Sequence, residues 1–171
     1  MNSRTLAFGR LCAGLAAAAL LGAGCASANL SDNAKIASEV MVGLPVGTPA
    51  PSLVARAIWF PKANGHNSVD ASPLGHMSGV LALAGDKLWF LVWNDALQAY
   101  DTQQSISLIR AANVSVVHYG SSVMLVVESW NMSFDSFELM DASRLASDEK
   151  TTEAFYRAIQ AFRAKNPPPA F

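Results

Sequence analysis

The chain has 171 residues, of which 51% are hydrophobic and 15% are charged, and its formal net charge at pH 7 is −1. This length is sufficient for one domain with its own hydrophobic core. No cluster of Lys and Arg follows the N-terminal segment. Nucleic acid and anionic membrane surfaces both select such clusters, so neither is expected as the main partner.

The N-terminal segment has the pattern of a secretory signal peptide. Arg4 and Arg10 form a positive region, and the apolar stretch from Leu11 to Leu21 follows it. A helix of this length covers about 16 Å, whereas the hydrocarbon core of a bilayer is about 30 Å thick. We therefore predict that residues 1–24 are a cleaved signal and not a membrane span.

Cys25 follows the small residues 22–24, and this arrangement resembles the lipobox of bacterial lipoproteins. The resemblance implies that the mature chain begins at Cys25 and carries a covalent lipid there. With Ala26 next, it implies an anchor in the periplasmic leaflet of a Gram-negative outer membrane. The alternative is an ordinary secretory signal that is cleaved near residues 26–28, which would discard the cysteine.

Removal of the signal changes the cysteine count and the charge. Cys12 would leave with the signal and Cys25 would be bonded to lipid, so no disulfide is expected. The mature chain would keep 10 Lys and Arg against 13 Asp and Glu, a net charge of about −3. A domain without disulfides in an oxidising compartment depends on its own core for stability.

Residues 25–52 are predicted to be a lipid-anchored tether, because Gly and Pro recur through the second half of this segment. Ile36, Val40 and Leu44 nevertheless recur at helical spacing. Two interpretations stay open. One is a short helix from Lys35 to Val42 that docks onto the folded domain, and the other is a free spacer.

Beyond the tether, short apolar runs are separated by Gly, Asn and Asp at intervals typical of antiparallel strands. The connections at 85–87 and 120–122 are tight and contain the Gly that hairpins favour. The sequence predicts seven strands: Val54 to Phe60, Gly79 to Ala84, Leu88 to Trp93, Ser105 to Ile109, Val114 to Tyr119, Val123 to Trp130 and Phe134 to Met140.

The last predicted element is an amphipathic helix. Phe155, Ile159 and Phe162 form one apolar stripe, Ser147 or Asp148 can cap its N-terminus, and a proline run ends it. Seven strands followed by one helix predict a closed barrel with the helix at one end, which leaves no strand edge exposed.

The segment from Gly79 to Phe90 resembles the opening hairpin of GRAM and other pleckstrin-homology-like domains. Ser105 to Leu108 resembles the strand that follows, and the strand with Phe137 leading to the helix with Phe155 resembles the end of these domains. The resemblance implies a mainly β fold over residues 53–165. In this fold a seven-stranded antiparallel PH-like barrel is capped by one C-terminal helix, and residues 166–171 form a Pro-rich tail.

The resemblance implies a non-catalytic binding or scaffolding module of the cell envelope, with an envelope protein as partner and no cofactor. Phosphorylated lipids are bound in this superfamily by several basic residues in the first loops. Between Pro61 and Met77 the chain has Lys62 and two histidines, so no phosphoinositide site is expected. Two alternatives stay open: a carrier of a lipid or small hydrophobic ligand, and a hydrolase with an unrecognised site.

The residue types that carry chemistry are not arranged for catalysis. His66 and His76 lie in one connection and His118 lies on a predicted strand, which is not the spacing of a metal site. The sequence has no activated-serine motif, no CxxC and no phosphate loop. We therefore expect no metal site and no catalytic residue.

The third predicted strand, Leu88 to Trp93, is apolar on both faces. If its even-numbered residues face the barrel interior, Trp89, Leu91 and Trp93 point outward. Either the segment around 36–44 or another loop covers them, or they form a patch that docks a partner protein or rests at the membrane interface.

Overall fold

The computed structural model describes residues 35–64, 75–130, 133–141 and 146–167. The predicted signal peptide, Cys25 and His66 lie outside the described residues. Within them, no helix combines the length and the apolar character needed to cross a membrane. The described residues from Ile36 onward belong to one compact unit.

Helix α1 is described over residues 35–43. The elements that follow are β1 (Leu53–Asn64), β2 (Met77–Ala84), β3 (Lys87–Asn94), β4 (Ala99–Ser107), β5 (Ala111–Tyr119), β6 (Ser122–Ser129), β7 (Ser133–Leu139) and α2 (Glu149–Lys165). Each predicted strand corresponds to an observed one. The largest difference is at β4, which begins at Ala99 and not at Ser105. Polar residues are compatible with this strand because it lies at the edge of the sheet, where one side meets water.

The strands form one antiparallel sheet in the order β4-β3-β2-β1-β7-β6-β5. This confirms the predicted fold class, seven antiparallel strands followed by a C-terminal helix, and it is consistent with a PH-like fold. The sheet is not closed, however, because the described residues of β4 and β5 do not pair. At the β5 edge, Arg163 of α2 donates hydrogen bonds to the carbonyl oxygens of Ala111 and Ala112, at 3.1 and 3.2 Å. A side chain of the helix therefore satisfies backbone carbonyl groups at this end of β5.

The inner face of the sheet and helix α2 enclose the main core. Phe90, Phe137 and Phe155 are among its largest fully buried side chains. Helix α2 begins as predicted, because its N-cap Asp148 accepts a hydrogen bond from the backbone N–H of Thr151 at 3.0 Å. Hydrophobic side chains of the sheet and of α2 therefore fill the space between them.

Helix α1 packs on the outer face of β2 and β3, so the docked helix is the interpretation that the structure supports. Ile36, Val40 and Leu44 are buried in a second hydrophobic cluster. Their partners on the sheet are Val80, Ala82, Ala84, Trp89 and Leu91. The predicted tether therefore includes a segment that is part of the domain surface.

Gly43 fixes the C-terminal end of α1 against β4. A Cβ at this position would overlap the carbonyl oxygen of Tyr100 and lie 3.1 Å from Leu91 Cδ2. The carbonyl oxygen of Gly43 also accepts a hydrogen bond of 2.9 Å from Thr102 Oγ1. The close approach of helix and strand therefore requires glycine.

Gly43→Ala is expected to displace the end of α1 from the sheet, because the methyl group meets backbone that cannot move aside cheaply. We expect the free energy of unfolding to fall by roughly 2 kcal/mol. Hydrogen exchange should also become faster over residues 36–44. Val42→Ala is the control, since Val42 is 76% exposed and should change stability by less than about 0.5 kcal/mol. Unchanged exchange in Gly43→Ala would contradict the packing of α1.

Candidate functional site

The three residues of the predicted outward patch differ in accessibility. Trp89 is 8% exposed and Leu91 is 0% exposed, whereas Trp93 is 40% exposed. Trp89 and Leu91 belong to the cluster under α1. Of these three residues, only Trp93 is directly accessible to a partner that leaves α1 in place. The binding role of all three residues stays a prediction.

Trp93 is held in one orientation although it is exposed. Its ring meets that of Tyr100 edge to face, with centroids 5.3 Å apart and planes at 79°. Its indole Nε1–H donates a hydrogen bond of 3.0 Å to Asp95 Oδ1. Contacts of both kinds restrict the side chain, which reduces the conformational entropy that is lost on binding.

Trp93 and Tyr100 form one wall of a surface pocket with a volume of about 200 Å³. We call it the Trp93 pocket and define it by its lining residues: Arg56, Ala57, Ile58, Ser78, Gly79, Trp93, Tyr100 and Met140. Ile58 and Ser78 are partners in the β1–β2 ladder. Because Ser78 has a short side chain, space remains on the outer face of the sheet between Trp93 and Ile58.

Arg56 supplies the only charged side chain among the residues that line the Trp93 pocket. It lies on β1 and is half-buried. Within the described ranges, no hydrogen bond or ion pair engages its guanidinium group. The pocket therefore combines an aromatic wall with a cation that is available to an external anion.

A second, more polar cavity of about 610 Å³ lies beside the connections that flank β3 and β4. Asp86, Arg110 and Asp135 are among the residues that line it. Asp135 is 1% exposed, and its Oδ1 accepts a hydrogen bond of 3.1 Å from Trp59 Nε1. This bond holds an aromatic side chain of the core and satisfies one of the two carboxylate oxygens.

The described histidines do not converge on either cavity. His76 is exposed, with its ring centroid 6.0 Å from that of Phe60. His118 is exposed, and its Nε2 lies 3.3 Å from Glu149 Oε1 at the start of α2. In the part of the chain that the structure describes, no group of three His, Cys, Asp or Glu residues is arranged to hold a metal ion.

The sequence did not identify Arg56, Ser78 or Met140 as site residues. They are separated along the chain, and they meet because β1 pairs with β2 on one side and with β7 on the other. The backbone N–H of Met140 donates to the carbonyl oxygen of Arg56 at 3.0 Å, which places the two side by side. The pairing of β1 with both neighbours creates the pocket, and no local pattern in the sequence indicates it.

No protein-family model matches the chain, and no curated protein sequence matches it. Among solved structures, the chain is similar to one described as "Vav1 inhibited by an allosteric inhibitor: Vav1 inhibitors block GEF activity", with a TM-score of 0.46 and 8% sequence identity. The similarity covers 76% of this chain and 22% of the Vav1 chain. The protein therefore spans about a fifth of the length of that chain.

Trp89→Ala and Trp93→Ala are expected to have different effects on stability. Trp89 is buried beneath α1, so its truncation should lower the free energy of unfolding by about 3–5 kcal/mol. Trp93 is partly exposed, so Trp93→Ala should lower the free energy of unfolding by about 1 kcal/mol through the loss of its contact with Tyr100. Urea denaturation of both variants measures the difference. Equal losses would mean that Trp93 is a structural residue and not an available binding surface.

Proposed function

We propose that the protein is a membrane-anchored periplasmic lipoprotein and that its PH-like domain is a non-catalytic binding module of the cell envelope. In this proposal a partner protein inserts a side chain into the Trp93 pocket. The observation that carries the proposal is an exposed aromatic side chain, Trp93, that is already fixed by Tyr100 and Asp95 beside an open pocket.

The size and composition of the Trp93 pocket favour a protein partner over a carried ligand. Its volume of about 200 Å³ is below the roughly 300–1,000 Å³ of sites that enclose a drug-sized molecule. It is therefore suited to a single side chain rather than to a lipid. Tryptophan, tyrosine and arginine are also the residues that contribute most often to hot spots of protein interfaces.

The proposed anchor is the lipid on Cys25, and it would keep the domain close to the membrane. Ile36 is the first residue of α1 that packs in the outer cluster. A fully extended chain from Cys25 to Ile36 reaches at most about 40 Å. An anchored domain would therefore meet envelope proteins at a raised effective concentration, so a small pocket of modest affinity is sufficient.

The anchor is tested by expressing the full chain and a Cys25→Ser variant in a Gram-negative host. We expect the wild-type protein in the membrane fraction, with a mass that corresponds to a mature chain from Cys25 plus diacylglycerol. The variant should lack the lipid mass and should not be processed before position 25. A wild-type mass that corresponds to an unmodified chain starting after residue 25 would contradict the anchor.

The binding role is tested by a photo-crosslinking residue at position 97, next to the pocket, in membrane-bound protein. Leu97 is 67% exposed, in the connection between the two strands that carry Trp93 and Tyr100. We expect a defined protein adduct that Trp93→Ala and Ser78→Phe both reduce by about tenfold, because each removes the pocket.

Two controls apply to this crosslinking experiment. Trp130→Ala removes a tryptophan that is 54% exposed but does not line the pocket, and it should leave the adduct unchanged. A crosslinker at the exposed Arg157 of α2 should not give the same adduct. An adduct that persists unchanged in Trp93→Ala and Ser78→Phe would contradict binding through the pocket.

A further inference from the structure

We propose that the Trp93 pocket recognises the C-terminal residue of its partner, with an apolar side chain against Trp93 and the terminal carboxylate on Arg56. This inference rests on the proposed binding function and names the chemistry of the partner. It follows from two groups that line the same small pocket, an aromatic wall and an arginine that is not engaged within the described ranges.

The charge in the pocket selects an anion. Arg56 is half-buried, and Asp and Glu are absent from the residues that line the pocket. The nearby Asp95 carboxylate already accepts the indole N–H of Trp93. A guanidinium group presents paired N–H donors that match the two oxygens of a carboxylate. An arginine that is not engaged within the described ranges, in a pocket lined otherwise by uncharged residues, therefore favours a carboxylate.

The small volume of the pocket favours a ligand whose anion and apolar group lie close together. Arg56 and Trp93 line the same pocket although their strands, β1 and β3, are separated by β2. A C-terminal residue carries its side chain and its carboxylate on one carbon atom, and a pocket of about 200 Å³ holds both.

Other ligands fit the same groups less well. A phosphorylated headgroup carries more negative charge than one arginine neutralises, and the pocket offers no second cation. A zwitterionic membrane surface carries a choline or ethanolamine cation beside each phosphate, and no acidic residue lines the pocket to receive that cation. A partner with an apolar C-terminal residue uses both features.

The experiment compares two probes of equal shape, N-acetyl-phenylalanine and N-acetyl-phenylalanine amide, which differ in the carboxylate. The full chain in detergent micelles is labelled with ¹⁵N-tryptophan, and the indole N–H signal of Trp93 is assigned with Trp93→Phe. We expect both probes to shift this signal. N-acetyl-phenylalanine should bind about fivefold more tightly than its amide, because one partly exposed ion pair contributes about this much. Signals of the buried Trp59 and Trp89 report that each variant is folded.

Arg56→Gln should remove the preference for the carboxylate and leave binding of the amide unchanged, whereas Arg56→Lys should keep part of the preference. Ser78→Phe should abolish the shifts by both probes. Equal binding of the two probes to the wild type, or a preference that survives Arg56→Gln, would overturn this inference and leave the binding function standing. If phosphatidylcholine vesicles shift the Trp93 signal and neither probe does, the pocket binds lipid, and both the inference and the proposed protein partner are wrong.

Discussion

The outer face of β2 and β3 is apolar, and this constraint determines how the rest of the molecule is arranged. Strands at this position usually alternate between buried and solvated residues, whereas Val80, Ala82 and Leu91 present a second hydrophobic surface opposite the main core. Such a surface in water favours association, so the chain has to cover it. Helix α1 provides the cover and thereby joins the segment before β1 to the folded domain.

The extent of that cover defines the candidate site. Helix α1 ends where Gly43 meets the backbone of Tyr100, so Leu91 is covered and Trp93, two residues further along β3, is not. Tyr100 takes part in both features, since its backbone limits the helix and its ring supports Trp93. The docked helix and the open pocket are therefore parts of one arrangement, and displacement of α1 would disturb both.

Local patterns in the sequence predicted the elements but not the pocket. Alternation and turn residues located the strands, and the apolar stripe of Phe155 and Ile159 located α2, because these signals depend on neighbours along the chain. The predicted start of β4 was wrong because the polar residues of this edge strand do not show the apolar alternation that locates a strand. Arg56 and Ser78 acquire their role only through the register of β1 against β2, which single-sequence patterns do not encode. The same limit applies to barrel closure, which depends on whether the edge strands β4 and β5 pair.

The most direct test of this account is the solvent accessibility of the four tryptophan indole groups in the full chain, measured by the broadening of their NMR signals by a soluble paramagnetic probe. The account predicts strong broadening for Trp93 and Trp130 and protection of Trp59 and Trp89. Broadening of Trp89 to the level of Trp93 would show that α1 does not cover the outer face. Protection of Trp93 would show that its pocket is closed, and either result would contradict the account.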